Sequence, residues 1–403
     1  MRLGVELVFA TDRCHVIDDP WRDQAVPIRF YDEDGSVAAI VESARSRPLD
    51  GILSLGDRPT VIGARVAQVL GLPGHPVEAA AIARNKRRTR ERLRSAGLPT
   101  PWYLETTIAA DPHQLSSDLE YPAIVKPVAL SGSRGVMRVD DPSSFVERFE
   151  RLRQLLQSSE IRAERSDDHS AVLIEGFIPG REYALEGLLH HGVFYVLALF
   201  DKPDPLDGPF FEETIYVTPA AAPPPEQAAI VDAVGAAAKA IGLAHGPVHA
   251  ECRVNAGGIV VLEVAARPIG GLCARALRFE RVEDAGTRCS LEELLLRHAL
   301  GESPEPWSRE SGASGVMMIP IPRRGLFRRA EHVEEARAVP GIDDVRVTAK
   351  ADQLLVPLPE GASYLGFIFS HAPQPAAVEA ALRDAHNRLH FVIEPEIPVL
   401  ARR

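Results

Sequence analysis

The chain is poor in cysteine: Cys14, Cys252, Cys273 and Cys289 are scattered over 403 residues, and none forms a CxxC pair. That spacing excludes a disulfide scaffold and a zinc ribbon, and suits reduced structural thiols. Long hydrophobic runs are missing too. No stretch approaches the ~18 consecutive apolar residues of a membrane span, so no membrane partner is expected. The opening MRLGVELVFATDRCHVIDD lacks the long apolar core and small-residue cleavage site of a secretory signal, and a cytoplasmic location is expected. No GxGxxG follows either early strand-like run, which removes support for a dinucleotide site. Nor is there a surplus of positive charge: Lys plus Arg is 45 against 56 for Asp plus Glu, a net charge of −11. A general phosphate-backbone binder is therefore disfavoured, and no nucleic-acid partner is expected.

What is present is ordinary globular material. Hydrophobic residues make up 45% and charged residues 25%, enough to build a core over two to three domains at this length. Short apolar runs alternate with helical patterns from the start, as in an α/β unit. Strands are expected at 3–10 and 51–56, and a helix at 60–70 that Gly71 stops. A basic helix follows at 85–95. The runs YPAIVKPVAL, GVMRV, AVLIEGFI, EYALEGLL and VFYVLALF read as strands, and 142–157 and 224–243 as helices. PVHAECRV and GIVVLEVAA are strands joined by the turn Asn255-Ala256-Gly257-Gly258. Residues 162–170 read as an irregular charged segment and 301–315 as a linker. Residues 290–300 form a helix with Ser290 as N-cap. The expected class is α/β and α+β multidomain, ending in an α+β piece from about residue 316.

Three places carry chemistry. The turn SGSRGV, residues 131–136, directly follows an apolar strand bearing Lys126. Small residues with free backbone N–H groups can fold around phosphate oxygens, with the lysine as a point charge; a plain hairpin turn is the other reading. In LIEGFIPGREYALEG, Glu175, Phe177 and Ile178 stand at a strand end and Glu182 follows the turn. Exposed backbone there can read an adenine edge and a carboxylate can take ribose hydroxyls; a hairpin with charged outer positions is equally open. Glu251 and Glu263 lie on adjoining apolar strands, where the turn sets them opposite one another, with Arg253 near Val261. Facing carboxylates repel unless a cation lies between them, and magnesium accepts one or two carboxylates plus substrate oxygens; a solvent-exposed edge pair is the alternative. The basic run NKRRTRERLR has charges all round and no interleaved aromatics, so it reads as a solvated helix face. Arg267 is placed on the face of Glu263 by strand alternation. It either forks onto an anionic substrate or pairs with an acid such as Glu251.

Taken in order, these pieces resemble the ATP-grasp superfamily: Asn85-Lys86 before a helix ending AGLPTP, then YPAIVKP, SGSRG, EGFIPGREY, and the pair Glu251 and Glu263. HAECRV, LEVAARPIGG and DKPDPLDGPFFEETIYVTPA look most like the L-amino acid ligases, which form dipeptides. The resemblance implies an ATP-grasp fold behind a Rossmann-like pre-ATP-grasp domain at 1–84. A connecting helical segment at 85–120 follows, then a small lid domain at 121–186, a large domain at 187–312 and the C-terminal α+β subdomain at 313–403. It implies that Lys86 and Lys126 hold ATP phosphates, that Ser131, Gly132, Ser133 and Gly135 close over the γ-phosphate, and that Glu175, Phe177 and Ile178 hold adenine. Glu182 would take ribose, Glu251 and Glu263 would ligate Mg2+ or Mn2+, and Arg267 would join Lys126 in the chemistry. Many members have Asn two positions after the second Glu; Ala265 stands there in this chain, which implies fewer protein ligands for a second ion. The activity implied is ligation of a small carboxylate to an amine through an acyl phosphate, releasing ADP and phosphate. A biotin-carboxylase-like enzyme and a nucleotide-binding protein without catalysis are the alternatives, and a homodimer is compatible with either.

Overall fold

The structure is a computed structural model that describes residues 3–12 and 25–396; Cys14 lies outside them. In the N-terminal unit, β1 (Phe9–Thr11) and β2 (Ala25–Pro27) pair in parallel. Helices α1 (Glu33–Ser46), α2 (Thr60–Leu70), α3 (Val77–Arg84) and α4 (Lys86–Ser95) follow. The strand expected at 3–10 is confined to its last residues. The one expected at 51–56 is unladdered chain; Gly51 passes so close to the end of the helix Leu291–Ala299 that a Cβ there would sit 2.3 Å from the carbonyl oxygen of Ala299. Helix α2 ends where glycine permits it, since Gly71 has φ +70°.

A four-stranded antiparallel sheet comes next. It comprises β3 (Tyr103–Thr107), β4 (Ala123–Pro127), β5 (Met137–Val139) and β6 (Ala171–Gly176), in the order β3-β6-β4-β5. Helices α5 (Pro112–Ser116), α6 (Pro142–Leu156) and α7 (Ser159–Arg162) accompany it. Phe145, Phe149 and Leu152 of α6 bury fully against Val125, Val139 and Ile174 of the sheet. The segment expected as irregular at 162–170 contains the end of α7 and a 3₁₀ turn at Asp167–Ser170. Asp168 there accepts a hydrogen bond from the side chain of Asn85.

The large antiparallel sheet begins with β7 (Arg181–His190), β8 (Val193–Asp201) and β9 (Ile215–Thr218). After α8 (Pro224–Ile241) come β10 (Gly246–Asn255) and β11 (Gly258–Ala265). A small sheet of β12 (Arg278–Arg281), β13 (Asp284–Ser290) and β14 (Trp307–Arg309) brackets α9 (Leu291–Ala299). The linker expected at 301–315 therefore holds β14, which is ordered because Phe279 pairs with Arg309 across the ladder. Beyond it lie β15 (Ala313–Ile319), β16 (Gly325–Glu331), α10 (Val333–Arg337), β17 (Ile342–Val347), β18 (Leu354–Leu355), β19 (Gly366–Ala372), α11 (Pro375–Arg388) and β20 (His390–Glu394). The large sheet runs β11-β10-β7-β8-β9-β15-β19-β17, so the C-terminal α+β piece extends it.

Strand β7 is buried on both faces, which is why EYALEGLL reads as nearly continuous apolar sequence. Tyr183, Leu185 and Leu189 pack with α3, α4 and α8, while Ala184 and Leu188 join Phe200, Phe279 and Leu291 on the other side. No helix among the described residues is long and apolar enough to cross a membrane.

Phe149→Ala should destabilise the chain by about 3–5 kcal/mol, because it empties a fully buried aromatic site. Urea unfolding checks this, and a loss below about 1 kcal/mol would show that α6 does not depend on that contact.

Candidate active site

Strand alternation assembles the site. In β10, Val248, Ala250 and Cys252 enter the core, so His249, Glu251 and Arg253 share the opposite face. On β7 their cross-strand partners are Glu186, Ala184 and Glu182. Glu182 accepts from Arg253 Nε at 2.8 Å, and Glu186 lies 3.1 Å from His249 Nδ1. On the other side of β10, Glu251 stands opposite Glu263 as expected. The route differs: Arg253 faces Val260, Cys252 faces Val261, and a β-bulge at Leu262 restores the glutamate pairing. The expectation that Arg253 faces Val261 is therefore one residue off. The bulge turns both carboxylates to one face.

These groups border a cleft of about 720 Å³ together with Lys86, Lys126, residues 131–133, Glu175, Phe177, Ile178, Glu213 and Arg267. Every predicted site residue except Gly135 lines it. Gly135 sits behind the turn with φ +74°, where a Cβ would meet Leu152 and Leu155 at 3.0–3.1 Å, so only glycine fits. Its N–H donates to the carbonyl of Pro359 at 2.8 Å, and Arg134 bonds the carbonyl of Glu360. The turn is thus tied to the C-terminal piece.

At one end of the cleft, cations outnumber anions. Glu175, on β6, is gripped by Lys126 and by Arg90 at 3.0 Å. Burial pushes the Glu175 carboxyl up, but Arg90 and Lys126 outweigh it and hold it down at about 2. Burial is the largest effect on Lys126 as well, and it falls to about 8 despite Glu175. One carboxylate shared by two buried cations leaves Lys126 under-neutralised, and an incoming anion would complete its pairing. Lys86 opens α4 behind the Asn85 N-cap. Its Nζ donates to the Leu130 carbonyl at 2.7 Å and lies 3.6 Å from Glu263. The basic helix is a solvated face only in part: Arg92 and Arg94 are exposed, whereas Arg90 is 1% exposed and also reaches the Val261 carbonyl.

At the other end the balance reverses. Lys202 Nζ donates to Glu182 at 2.8 Å, Glu213 at 2.7 Å and Glu251 at 2.9 Å. Burial opposes its charge, but the three carboxylates raise Lys202 well above its ordinary value. Burial first and then Glu251 push Glu213 up to about 7, while Lys202 and His249 keep Glu251 ionised against its burial. Lys202 and Tyr216 both bond Glu251 at Oε1. Glu251 and Glu263 are opposite in register, while the carboxylate oxygens that lie within 4.8 Å of one another are those of Glu182, Glu213 and Glu251; hard oxygens of this kind could hold a magnesium ion.

The hinge residues are partly committed within the chain. Phe177 N–H donates to Pro122, the Ile178 carbonyl accepts from Arg253, and Phe177 stacks on Phe211 at 6.4 Å. Glu175 faces cations rather than open space. Arg267 lies two residues past the end of β11, and its partner is Asp57 at 2.8 Å, not Glu251. Sequence reasoning missed Lys202, Glu213 and Asp57. Lys202 directly follows the buried residues 197–201 of β8, and both it and Glu213 lie in the segment DKPDPLDGPFFEETIYVTPA that carried part of the resemblance; Asp57 comes from a loop with no signal.

Sequence profiles match an ATP-grasp N-terminal domain at residues 1–74, an ATP-grasp domain at 119–276, and the L-amino acid ligase C-terminal domain 2 at 317–394. The crystal structure of an L-amino acid ligase from Bacillus licheniformis superposes with a TM-score of 0.82 at 29% identity, covering 98% of this chain and 94% of that one. An uncharacterised protein of Sinorhizobium fredii, y4rH, is 24% identical over 90% of this chain and 72% of its own. Alanine–anticapsin ligase of Bacillus subtilis is 27% identical over 55% of this chain. The match spans about half of that ligase's length, 49%.

Glu175→Gln should cost about 3–5 kcal/mol at neutral pH, because Arg90 and Lys126 stay buried without their anion. A carboxylate held at about 2 rather than 4.5 gives stability present above pH 4.5 and lost as pH falls towards 2, about 3 kcal/mol in all. The parent–variant difference in chemical denaturation should shrink across that window. A difference independent of pH would contradict the pairing.

Proposed function

Because the chain belongs to the ATP-grasp superfamily and resembles the L-amino acid ligases within it, we propose that it is an ATP-dependent ligase. It joins an amino acid or small carboxylate to an amine. The observation that carries this reading is the polarity of the cleft: Lys86, Lys126 and the 131–133 turn at one end, with Glu263 3.6 Å from Lys86, and Glu182, Glu213 and Glu251 around Lys202 at the other. That gradient suits a nucleotide triphosphate lying lengthwise with its divalent ion. A volume of about 720 Å³ is within the usual range for such ligands, about 300–1,000 Å³.

In this reading Lys126, short of negative charge, takes the phosphates together with Lys86, and Ser131, Gly132 and Ser133 turn their backbone N–H groups to the transferring group. Phe177 and Ile178 wall the adenine, and Glu182 reaches the ribose from its Lys202–Arg253 cradle. Glu175 acts through Lys126, which it orients. A substrate carboxylate oxygen attacks the γ-phosphorus as the bond to ADP breaks, giving an acyl phosphate. The amine nitrogen then adds to the acyl carbon, loses its proton, and expels phosphate. Magnesium bound at Glu251 and Glu263 supplies positive charge that neutralises the phosphate oxygens. Arg267, fixed through Asp57, presents the rest of its fork to the anionic substrate. Met318, Tyr364 and Phe367, which also line the cleft, receive the substrate side chain.

Phosphate release measured with ATP, Mg2+ and mixed amino acids tests the proposal. Release that needs both a carboxylate and an amine is expected; dependence on bicarbonate would point to a carboxylase, and no release to a nucleotide binder. Glu251→Gln and Glu263→Gln should each lower turnover about 100-fold or more with melting temperature near the parent's, since Lys202 keeps two other carboxylates. Turnover at the parent rate would remove the metal assignment.

Arg267→Lys should keep nucleotide affinity and thermal stability while losing most amide formation. If stability and ATP binding fall together, Arg267 serves only its contact with Asp57.

A further inference from the structure

Far from the cleft, four histidines and a fifth neighbour gather where β7, β10 and α9 end. His190 closes β7, and His191 with Gly192 makes the two-residue turn into β8, both at positive φ (+50° and +84°). His245 precedes β10, and His298 lies on α9. Ring centroids are 4.5 Å apart for His190–His191, 4.8 Å for His191–His245 and 5.3 Å for His190–His245; His298 stacks on His245 at 4.3 Å.

Their hydrogen bonding separates them. His75, the fifth, is satisfied at both nitrogens: Nε2 meets the Pro247 carbonyl at 3.0 Å and Nδ1 accepts from Ala244 N–H at 3.3 Å. By contrast His190 Nδ1, His245 Nε2 and His298 Nε2 are buried with no partner. His245 is 6% exposed and His298 2%, and a cavity of about 50 Å³ opens beside both. The one bond at His245 Nδ1, from His191 N–H, is long at 3.4 Å. Native proteins rarely leave several buried ring nitrogens idle in one place unless an ion or water serves them.

We propose that His190, His191 and His245 form a site for a divalent transition cation of the zinc class, separate from the nucleotide cleft. One ligand atom from each already lies within 4.8 Å of the others. Tetrahedral zinc with bonds of about 2.0–2.1 Å sets nitrogens about 3.3 Å apart, so modest ring rotations close the set, and exposed His191 has room for them. Burial and mutual repulsion keep His190 and His245 neutral, His245 at about 4, so their lone pairs are available. Imidazoles select zinc, copper or nickel over magnesium, which leaves the carboxylate cleft to the harder ion. Eight residue steps along β7 separate Glu182 from His190, about 26 Å of strand. The ion therefore braces the β7–β8 turn against the entry to β10 and takes no part in phosphoryl transfer.

The test is equilibrium dialysis of the untagged, chelator-stripped chain against zinc chloride in excess Mg2+, with metal content and melting temperature as readouts. One zinc per chain and a raised melting temperature are expected. His191→Gln and the double change His190→Gln/His191→Gln, both at the turn, should weaken binding at least tenfold and abolish the thermal shift while the metal-free proteins melt like the parent. Cobalt(II) should give the visible absorption of a tetrahedral nitrogen site in the parent alone. A parent that binds no zinc, or variants that bind it with unchanged affinity, would overturn the site.

Discussion

The ammonium of Lys202 is the constraint on which the cleft depends. It gathers carboxylates from β7, from the loop before β9 and from β10, three anions that would otherwise repel in a largely dehydrated space. One buried cation cannot neutralise three carboxylates; Arg253 takes a share of Glu182, and Glu213 meets the remainder by favouring its protonated form. The opposite end inverts this arithmetic, with Arg90 and Lys126 dividing the single charge of Glu175. Both deficits are internal to the fold and opposite in sign. A ligand that carries phosphate at one end and a divalent ion at the other relieves both at once, so the chain's own electrostatic cost becomes binding specificity.

Sequence reading reached the parts of this arrangement that follow strand periodicity. HAECRV alternates core and cleft residues, so Glu251 could be assigned to the cleft face without coordinates, with Glu263 near it on the strand across a tight turn. The bulge at Leu262 was not legible, because a single unpaired residue leaves no compositional trace; counting from the turn alone would have set Glu251 against Leu262. Arg90 was misread for a related reason. A run of eleven residues with charge on every side says nothing about which arginine faces inward until α4 is docked on β11 and Glu175 is found beneath it. Asp57, Glu213 and the tie from Gly135 to Pro359 are contacts between distant loops, and no local pattern encodes those.

The three units meet at the cleft through few but directional contacts. Asp57 from the N-terminal unit fixes Arg267 past the end of β11, and the carbonyls of Pro359 and Glu360 hold the glycine turn from the C-terminal side. Arg151 pairs with the Glu360 carboxylate as well. Each contact joins the cleft or the turn beside it to an element about 200 residues away in the chain. The half-exposed Arg151–Glu360 pair contributes little to stability, about 0–1 kcal/mol, whereas the Arg267–Asp57 pair is largely buried.

Strand β7 explains how so polar a face is held rigid. One face reads Glu182, Ala184, Glu186, Leu188 and His190, with Glu182 bordering the cleft, while Tyr183, Leu185 and Leu189 anchor the reverse side in the core. Residues 183–189 are laddered on both sides, to β8 and to β10, so the backbone that carries Ala184, Glu186 and Leu188 is held from both edges. Glu182 and Glu186 are thereby held about 13 Å apart along the strand, with Ala184 as the spacer on that face. Glu186 is the most deeply set, fully buried, with His249 and the N–H of Ile269 sharing its oxygens. The Ile269 contact clamps the segment that carries Arg267 onto β7. The same strand therefore sets the spacing of the anions and the position of the arginine.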